Sequence, residues 1–234
     1  MNHRPSLYRV DRLELAFTPK PWDFAIERRA EIDAYFADLQ REKPALWNGR
    51  VLLLYSQVLA EGVFRGAYLE TDYASFAAWR RWGRLEGVHD CFGAAAIVSG
   101  DGGFLLGRMA PHTFNAGKIY FPAGTPDPDD IADGKVDLEF SVRRELKEET
   151  GLDAAEFSAE PGWTAAIDGE LIVLIKVLRS SQSAEALRVR MLDHLARDKQ
   201  PELSDIRIVR GLGDFDPAMP RFVTAFLAQR FAGG

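Results

Sequence analysis

Cysteine and histidine, which build many metal and redox sites, are scarce in this chain. Cys91 is the single cysteine among 234 residues, so no disulfide can form within the chain. It lacks the cysteine companions that metal sites use, and we expect a small buried residue compatible with a reducing cytoplasm. Of the four histidines, His89 and His194 have no partner at metal-ligand spacing and receive no role.

Long apolar runs and an excess of positive charge are also missing. No stretch approaches the ~18 apolar residues that a membrane span needs, and the first residues lack the apolar core of a secretory signal. The net charge of −6 argues against non-specific binding to nucleic acid. We therefore expect a cytoplasmic protein with neither a membrane nor a nucleic-acid partner. Its 47% hydrophobic and 27% charged residues are ordinary for a globular protein.

The most distinctive stretch is RRELKEETGL, residues 143–152. Around it, Leu138, Val142 and Leu146 recur at every fourth position, which predicts a helix with one face toward the core. Gly151 predicts the end of that helix, because glycine accepts the left-handed backbone conformation found at helix C-termini.

Three carboxylates share one side of this predicted helix. At about 100° per residue, Glu145, Glu148 and Glu149 fall within roughly one 100° arc, and Glu149 nearly continues the apolar stripe. A carboxylate buried there is costly without a compensating charge, so we expect a bound cation. A solvated, Glu-rich helix face is the alternative.

The letters are more specific than that alternative. Residues 144–152 match R-E-U-x-E-E-x-G-U, with U aliphatic, at every position. The segment resembles the Nudix box, the motif of the Nudix hydrolases. The resemblance implies a Mg²⁺-dependent enzyme, with Mn²⁺ as a second candidate, that cleaves diphosphates linked to a nucleoside or another group. It also implies an α/β fold, the Nudix α/β/α sandwich. A non-catalytic Nudix domain that binds a nucleotide is the alternative from another class.

The first half of the box departs from the family pattern G-x5-E-x7-R-E-U-x-E-E-x-G-U. It begins at Gly124, and after five intervening residues the acidic position holds aspartate instead of glutamate. The spacing to Arg144 is longer than the pattern allows, which indicates an insertion at IADGK, residues 131–135. Three aspartates are left as candidates for the missing glutamate, with the absence of that role as the alternative: Asp130, Asp133 and Asp137.

The resemblance also implies roles for the residues of the box. Glu145, Glu148 and Glu149 would bind the metal, and Glu148 and Glu149 would be catalytic. Arg144 lies four residues before Glu148, close enough to pair with it and orient it. Gly124 would let the backbone turn back against the catalytic helix, with a plain loop glycine as the alternative.

Three further candidates lie outside the box. Glu202 precedes a predicted strand, where many Nudix enzymes carry a catalytic glutamate; a solvated loop glutamate is an equal alternative. Arg108 and His112 lie between predicted strands ahead of the box, and they are candidates to bind substrate phosphates. A surface loop role is their alternative.

Two resemblances within the family compete over the substrate. AGKIYFPAGTPDPDD, residues 116–130, and the LLGR of residues 105–108 are similar to the Nudix enzymes that cleave coenzyme A. The leading region resembles the animal branch that hydrolyses UDP-glucose and UDP-galactose, through Thr71, Tyr73 and Phe76. We expect a small nucleotide-type substrate, a UDP-sugar first and coenzyme A second. A homodimer is one candidate for the oligomeric state, which the sequence leaves open.

The order of elements predicts two domains. Residues 1–88 are expected to form a smaller N-terminal α+β domain packed on a Nudix domain of residues 89–234, with the boundary in the loop Leu85–Asp90. The junction RLEGVHDC is short and has no Pro/Ser-rich spacer. Aromatic side chains of the first domain are candidates to stack on a base, with a core position as the alternative: Trp47, Tyr55, Phe64 and Tyr73.

Overall fold

The computed structural model describes residues 4–84 and 87–233. Leu85 and Glu86, at the start of the predicted boundary, lie outside the described residues. The helices are α1 (Asp23–Glu27), α2 (Arg29–Glu42), α3 (Tyr73–Arg81), α4 (Leu138–Thr150), α5 (Ala184–Leu195) and α6 (Arg221–Ala232). None of these described helices is long and apolar enough to cross a membrane.

The strands form two sheets. They are β1 (Ser6–Val10), β2 (Arg12–Phe17), β3 (Arg50–Ala60), β4 (Val63–Asp72), β5 (Asp90–Val98), β6 (Phe104–Met109), β7 (Ile119–Tyr120), β8 (Ile131–Ala132), β9 (Lys135–Val136), β10 (Ser158–Ala159), β11 (Trp163–Asp168), β12 (Leu171–Arg179) and β13 (Leu203–Val209). The larger sheet has the order β1-β11-β12-β5-β6-β13, with β10 beside β12 and β7 beside β6. The smaller has the order β3-β4-β2-β9-β8. The predicted α/β class is confirmed.

The helix with the acidic cluster, α4, packs closely against β5 of the larger sheet. Gly93 allows this approach, because a side-chain carbon there would lie 2.5 Å from Cγ2 of Val142. Asp137 caps the helix by accepting two backbone hydrogen bonds of 2.9 and 3.0 Å from the first turn. Gly151 ends it with a φ of 71°. The predicted end and buried face of α4 are therefore confirmed.

Paired strands connect the parts of the chain before and after residue 88. β1 pairs with β11 in the larger sheet, and the β8–β9 hairpin pairs with β2 in the smaller. That hairpin contains the predicted insertion and turns at Asp133 and Gly134, both with positive φ. Leu54, Tyr68 and Cys91 belong to one continuous buried core. The division into two domains at residue 88 stays a prediction.

The leading region adds an aromatic core between α3 and the smaller sheet. Phe76 and Trp79 are buried, and their rings stack at a centroid distance of 6.2 Å. Trp82 is only half-buried and meets Phe24 edge-on at 5.8 Å. Phe76 and Trp79 also pack with Val51, Leu53 and Leu69 of the smaller sheet in one buried cluster, which fixes α3 on that sheet. The C-terminal end of α3 reaches the start of β5, where Arg80 lies 4.0 Å from Asp90.

Candidate active site

The three carboxylates of α4 differ sharply in exposure. Glu149 is 5% exposed, the side chain of Glu145 is 13% exposed, and that of Glu148 is 59% exposed. Oε2 of Glu149 accepts a hydrogen bond of 3.3 Å from the backbone N–H of Ala123. The helix therefore turns two carboxylates into the protein and leaves the third in solvent.

Burial raises the pKa of both inner carboxyl groups. For Glu145, loss of solvation outweighs the opposing charge of Arg144, and the pKa rises to about 7. For Glu149, loss of solvation again dominates, and the negative charges of Glu145 and Glu202 raise the pKa further. Two buried acids that repel each other are costly when ionised.

This set of oxygen donors fits a divalent cation. Hard cations such as Mg²⁺ take carboxylate oxygens, and a positive charge beside Glu145 and Glu149 would offset both their desolvation and their repulsion. Among the described residues, however, no three acidic, histidine or cysteine side chains already converge enough to hold an ion. The metal ligands Glu145, Glu148 and Glu149 stay a prediction.

Gly124 leaves the space that the Glu145 carboxylate occupies. A side-chain carbon at this position would overlap that carboxylate. The neighbouring Ala123 binds Glu149, so the backbone of residues 123–124 lies directly against both inner acids. The sequence predicted that Gly124 would let the backbone turn against α4, and the contact with Glu145 gives that glycine a physical reason.

Arg144 links the altered first half of the box to its intact second half. Its Nη2 lies 3.0 Å from Asp130 and 3.3 Å from Asp127. Its Nη1 lies 2.9 Å from Glu145 and 3.3 Å from Glu148. The predicted pairing with Glu148 is thus one of several contacts, and Arg144 orients Glu145 as well.

Asp130 contacts Arg144, and the other two candidate aspartates have different positions. Its carboxylate is fully buried, and loss of solvation raises its pKa while the hydrogen bond from Arg144 opposes that rise. Asp137 caps α4, and Asp133 lies in the exposed hairpin turn. The geometry therefore favours Asp130 as the residue that replaces the glutamate.

A pocket of about 620 Å³ is lined in part by Ala123 and Gly124, the residues that contact the inner carboxylates. Ala123, Gly124 and Glu202 belong to its wall. Rings and cations from both halves of the chain form other parts of the wall: Trp47, Tyr73, Phe76, Arg80, Phe114 and Lys118. This volume is within the range of small-molecule sites, roughly 300–1,000 Å³.

Glu202 and His112 meet at one side of the pocket. Both line it, and the backbone N–H of Ala110 donates to the carbonyl of Glu202 at 2.8 Å. Loss of solvation raises the pKa of Glu202, and the nearby His112 opposes that rise. The charge of Glu202 in turn acts on Glu145 and Glu149, so these predicted site residues are brought together.

Arg108 is separate from them. Its guanidinium donates to the carbonyl of Gly117 at 3.3 Å and to Asp216 at 3.4 Å, and it is not part of the pocket wall, whereas its neighbour Met109 is. Successive side chains of a strand point to opposite faces, which accounts for the difference. A phosphate-binding role for Arg108 stays a prediction without support from this geometry.

Some residues near the site carried no usable signal in the sequence. Nε2 of His194, which received no role, lies 2.9 Å from the carbonyl oxygen of Glu148 and holds the last turn of α4. Asp90 and Arg80 line the pocket but belong to no motif. Of the aromatic candidates, Trp47 and Tyr73 line the pocket, whereas Phe64 is buried in the core.

Part of the chain matches a known family in a sequence comparison. Residues 88–177 match the family model of the NUDIX domain. These residues form a NUDIX domain, which spans less than half of the chain. The predicted Nudix resemblance is confirmed over these residues, and the match supports a hydrolase that acts on phosphorus-containing anhydrides.

Three solved structures of low identity match parts of the chain. A MutT protein from Methanosarcina mazei Go1 is 23% identical, with a TM-score of 0.39 over 64% of this chain and 96% of that one. The Nudix hydrolase RenU from M. smegmatis is 17% identical, with a TM-score of 0.38 over 62% and 84%. A bifunctional NMN adenylyltransferase/ADP ribose pyrophosphatase from Francisella tularensis is 13% identical, with a TM-score of 0.42 over 64% and 44%. No match was found among curated proteins.

Proposed function

We propose that this Nudix protein hydrolyses the diphosphate bond of a nucleoside diphosphate sugar, in the first place a UDP-sugar, to UMP and a sugar 1-phosphate. One observation carries the proposal: the backbone at Ala123 and Gly124 separates two buried carboxylates from a pocket of nucleotide size. A diphosphate at this wall would lie beside Glu145 and Glu149, with room in the pocket for the groups that it joins.

The residues of the chain supply support and proton transfer. Mg²⁺ or Mn²⁺ held by Glu145, Glu148 and Glu149 would neutralise the diphosphate and lower the pKa of the attacking water. Arg144 holds the carboxylates of Glu145 and Glu148 in place through its contacts with both. We assign Glu202 the role of general base, since it lines the pocket and burial raises its pKa above the ordinary value.

The preference for a UDP-sugar rests on the leading region. Tyr73 and Phe76, which carry part of the resemblance to UDP-sugar hydrolases, line the pocket. The ring of Tyr73 meets that of Phe114 at a centroid distance of 6.3 Å. Such a group of rings is suited to a planar base.

A metal-dependent substrate screen tests the proposal. Purified protein would be incubated with Mg²⁺, Mn²⁺ or EDTA and with UDP-glucose, UDP-galactose, coenzyme A, ADP-ribose, NADH or dinucleotides, and the products separated by chromatography. We expect UMP and sugar 1-phosphate. Glu148→Gln should lose turnover, while the control Glu139→Gln, an exposed residue of the same helix paired with Arg143, should keep it.

Two results would contradict parts of the proposal. Cleavage of coenzyme A to a 3′-phosphoadenosine product, with UDP-sugars untouched, would replace the substrate and leave the hydrolase. No turnover of any diphosphate, together with tight nucleotide binding, would favour the non-catalytic alternative.

A further inference from the structure

The pocket contains a buried carboxylate that the hydrolytic chemistry does not use. Asp90, the first residue of β5, lines the pocket and is 2% exposed. Among the described residues, nothing forms a hydrogen bond with its Oδ1. A buried polar atom without a partner is costly, so a ligand donor that reached this oxygen from the pocket would offset that cost.

Two arginines face this carboxylate without closing on it. Nε of Arg80 and Nη2 of Arg84 each lie 4.0 Å from Oδ2 of Asp90. At that distance the charges attract, but no hydrogen bond forms. Arg84 has a φ of 53°, and its backbone N–H donates to the carbonyl of Trp79 at 2.9 Å, so the end of α3 directs it here.

Aromatic rings flank the guanidinium of Arg80. The guanidinium of Arg80 lies 4.8 Å from the ring centroid of Phe114 and 5.4 Å from that of Phe76. Its Nη2 also donates to Asn115 at 3.1 Å, which fixes its plane. A polar group between flat apolar surfaces suits a planar ligand with a hydrogen-bonding edge.

We propose that Asp90, with Arg80 and Arg84, is the specificity subsite for the group that the diphosphate carries. Asp90 accepts a hydrogen bond from a neutral donor of the ligand, and the arginines donate to acceptors on either side. The imide edge of uracil, an N–H between two carbonyls, has this pattern, and adjacent sugar hydroxyls offer the same chemistry. The surrounding rings favour the base. This inference rests on the proposed function, because it takes the pocket to be the substrate pocket.

The substitution Asp90→Asn tests the subsite directly. It keeps the size of the side chain but adds a donor to an acceptor-only group. Cytosine has an acceptor where uracil has its imide N–H. Titration of metal-free protein with UMP and CMP by calorimetry should show that the wild type prefers UMP. The variant should bind UMP about 10- to 100-fold more weakly, the effect of losing a hydrogen bond to a charged group, and the preference should narrow or reverse.

A second arm separates the base from the sugar. If the affinity of the variant falls for UDP-glucose but not for UMP or UDP, the donor is a sugar hydroxyl. If wild type and variant bind UMP, CMP and UDP-glucose equally, Asp90 has only a structural role and the subsite is wrong.

Arginine variants provide an independent measurement. Arg80→Lys keeps the positive charge but loses the planar guanidinium with its paired donors, so it should also weaken the binding of UMP. The matched control Arg188→Lys, on α5 and paired with Asp205 at 3.4 Å, should bind as the wild type does. If Asp90→Asn fails to fold by circular dichroism, the Arg80→Lys result decides the test.

The outcomes separate this inference from the proposed function. Hydrolysis of UDP-sugars by a wild type whose Asp90 and Arg80 variants bind normally would remove the subsite alone. Altered nucleotide preference in the variants, with no diphosphate hydrolysed by the wild type, would contradict the proposed hydrolase activity and support the subsite.

Discussion

The carboxylate of Asp130 accepts hydrogen bonds from the guanidinium of Arg144, whose Nη2 lies 3.0 Å from Oδ2 and 3.2 Å from Oδ1. The backbone N–H of Asp127 donates to the same carboxylate at 3.1 Å. The 3₁₀ turn Pro128–Asp130, which precedes the inserted hairpin, is therefore fixed against α4. The contact supports the expectation that Asp130 takes the place of the glutamate in the family pattern.

Removing this carboxylate should harm both stability and turnover. Asp130→Ala removes the fully buried one of the four carboxylates that contact Arg144. We expect a loss of about 2–4 kcal/mol in the free energy of unfolding, because breaking a buried ion pair is strongly destabilising and the other three carboxylates compensate part of the charge. Turnover should fall because Glu145 and Glu148 lose a fixed neighbour. Urea unfolding and kcat/KM measure the two effects. Asp133→Asn, in the exposed turn, is the control and should match the wild type; equal damage in both variants would contradict the assignment.

Divalent metal should stabilise the protein through the inner carboxylates. We expect Mg²⁺ or Mn²⁺ to raise the melting temperature of the wild type. Glu149→Gln should remove most of that rise. It should also lower turnover by about 100-fold or more, because loss of a metal ligand should cost at least as much as loss of a residue that supports one. Without metal, the variant should be as stable as the wild type or more so, because one buried charge is gone. An unchanged metal response in Glu149→Gln would place the ligands elsewhere.

The metal-free protein should lose stability as pH rises through the acid range. The pKa of Glu145 is about 7 when folded, against 4.5 ordinarily, so between these values the folded state binds more protons than the unfolded state. The free energy of unfolding therefore falls across that window and levels off above it. The raised pKa of Glu149 acts in the same direction. Unfolding midpoints measured from about pH 5 to 8 should show a weaker slope in Glu145→Gln; an identical slope would contradict the account.

Features that depend on neighbouring residues in the chain were predictable from the sequence, whereas contacts between distant segments were not. α4 was predictable because its buried stripe and its C-terminal Gly151 are local features of one helix. The contact between Asp130 and Arg144 was not predictable, because the inserted hairpin changes the number of residues between them from that in the family pattern. The pocket position of Asp90 was not predictable either, because it depends on how the C-terminal end of α3 meets the start of β5, and no spacing in the chain records that contact.

A chain that starts at His89 should be poorly soluble and inactive. It lacks β1, so β11 loses a neighbour and presents an open strand edge, which favours aggregation. It also removes Leu54 and Tyr68 from the shared core and Arg80 from the pocket wall. Soluble yield, circular dichroism and turnover check this. A well-folded fragment with full activity on the same substrate would show that residues before 89 are dispensable.

Gly124→Ala should reduce turnover while leaving the fold intact. An added carbon at this position would overlap the carboxylate of Glu145, which must then move away from Arg144 and from the wall of the pocket. Because the carboxylate is displaced and not removed, we expect a smaller loss than in the Glu149→Gln variant, together with a weaker metal-induced rise in melting temperature. Gly211→Ala is the matched control, since a side-chain carbon there would meet nothing within 4 Å. If Gly124→Ala keeps wild-type turnover and metal response, the close contact with Glu145 does not position the carboxylate for catalysis, and the glycine serves only the loop.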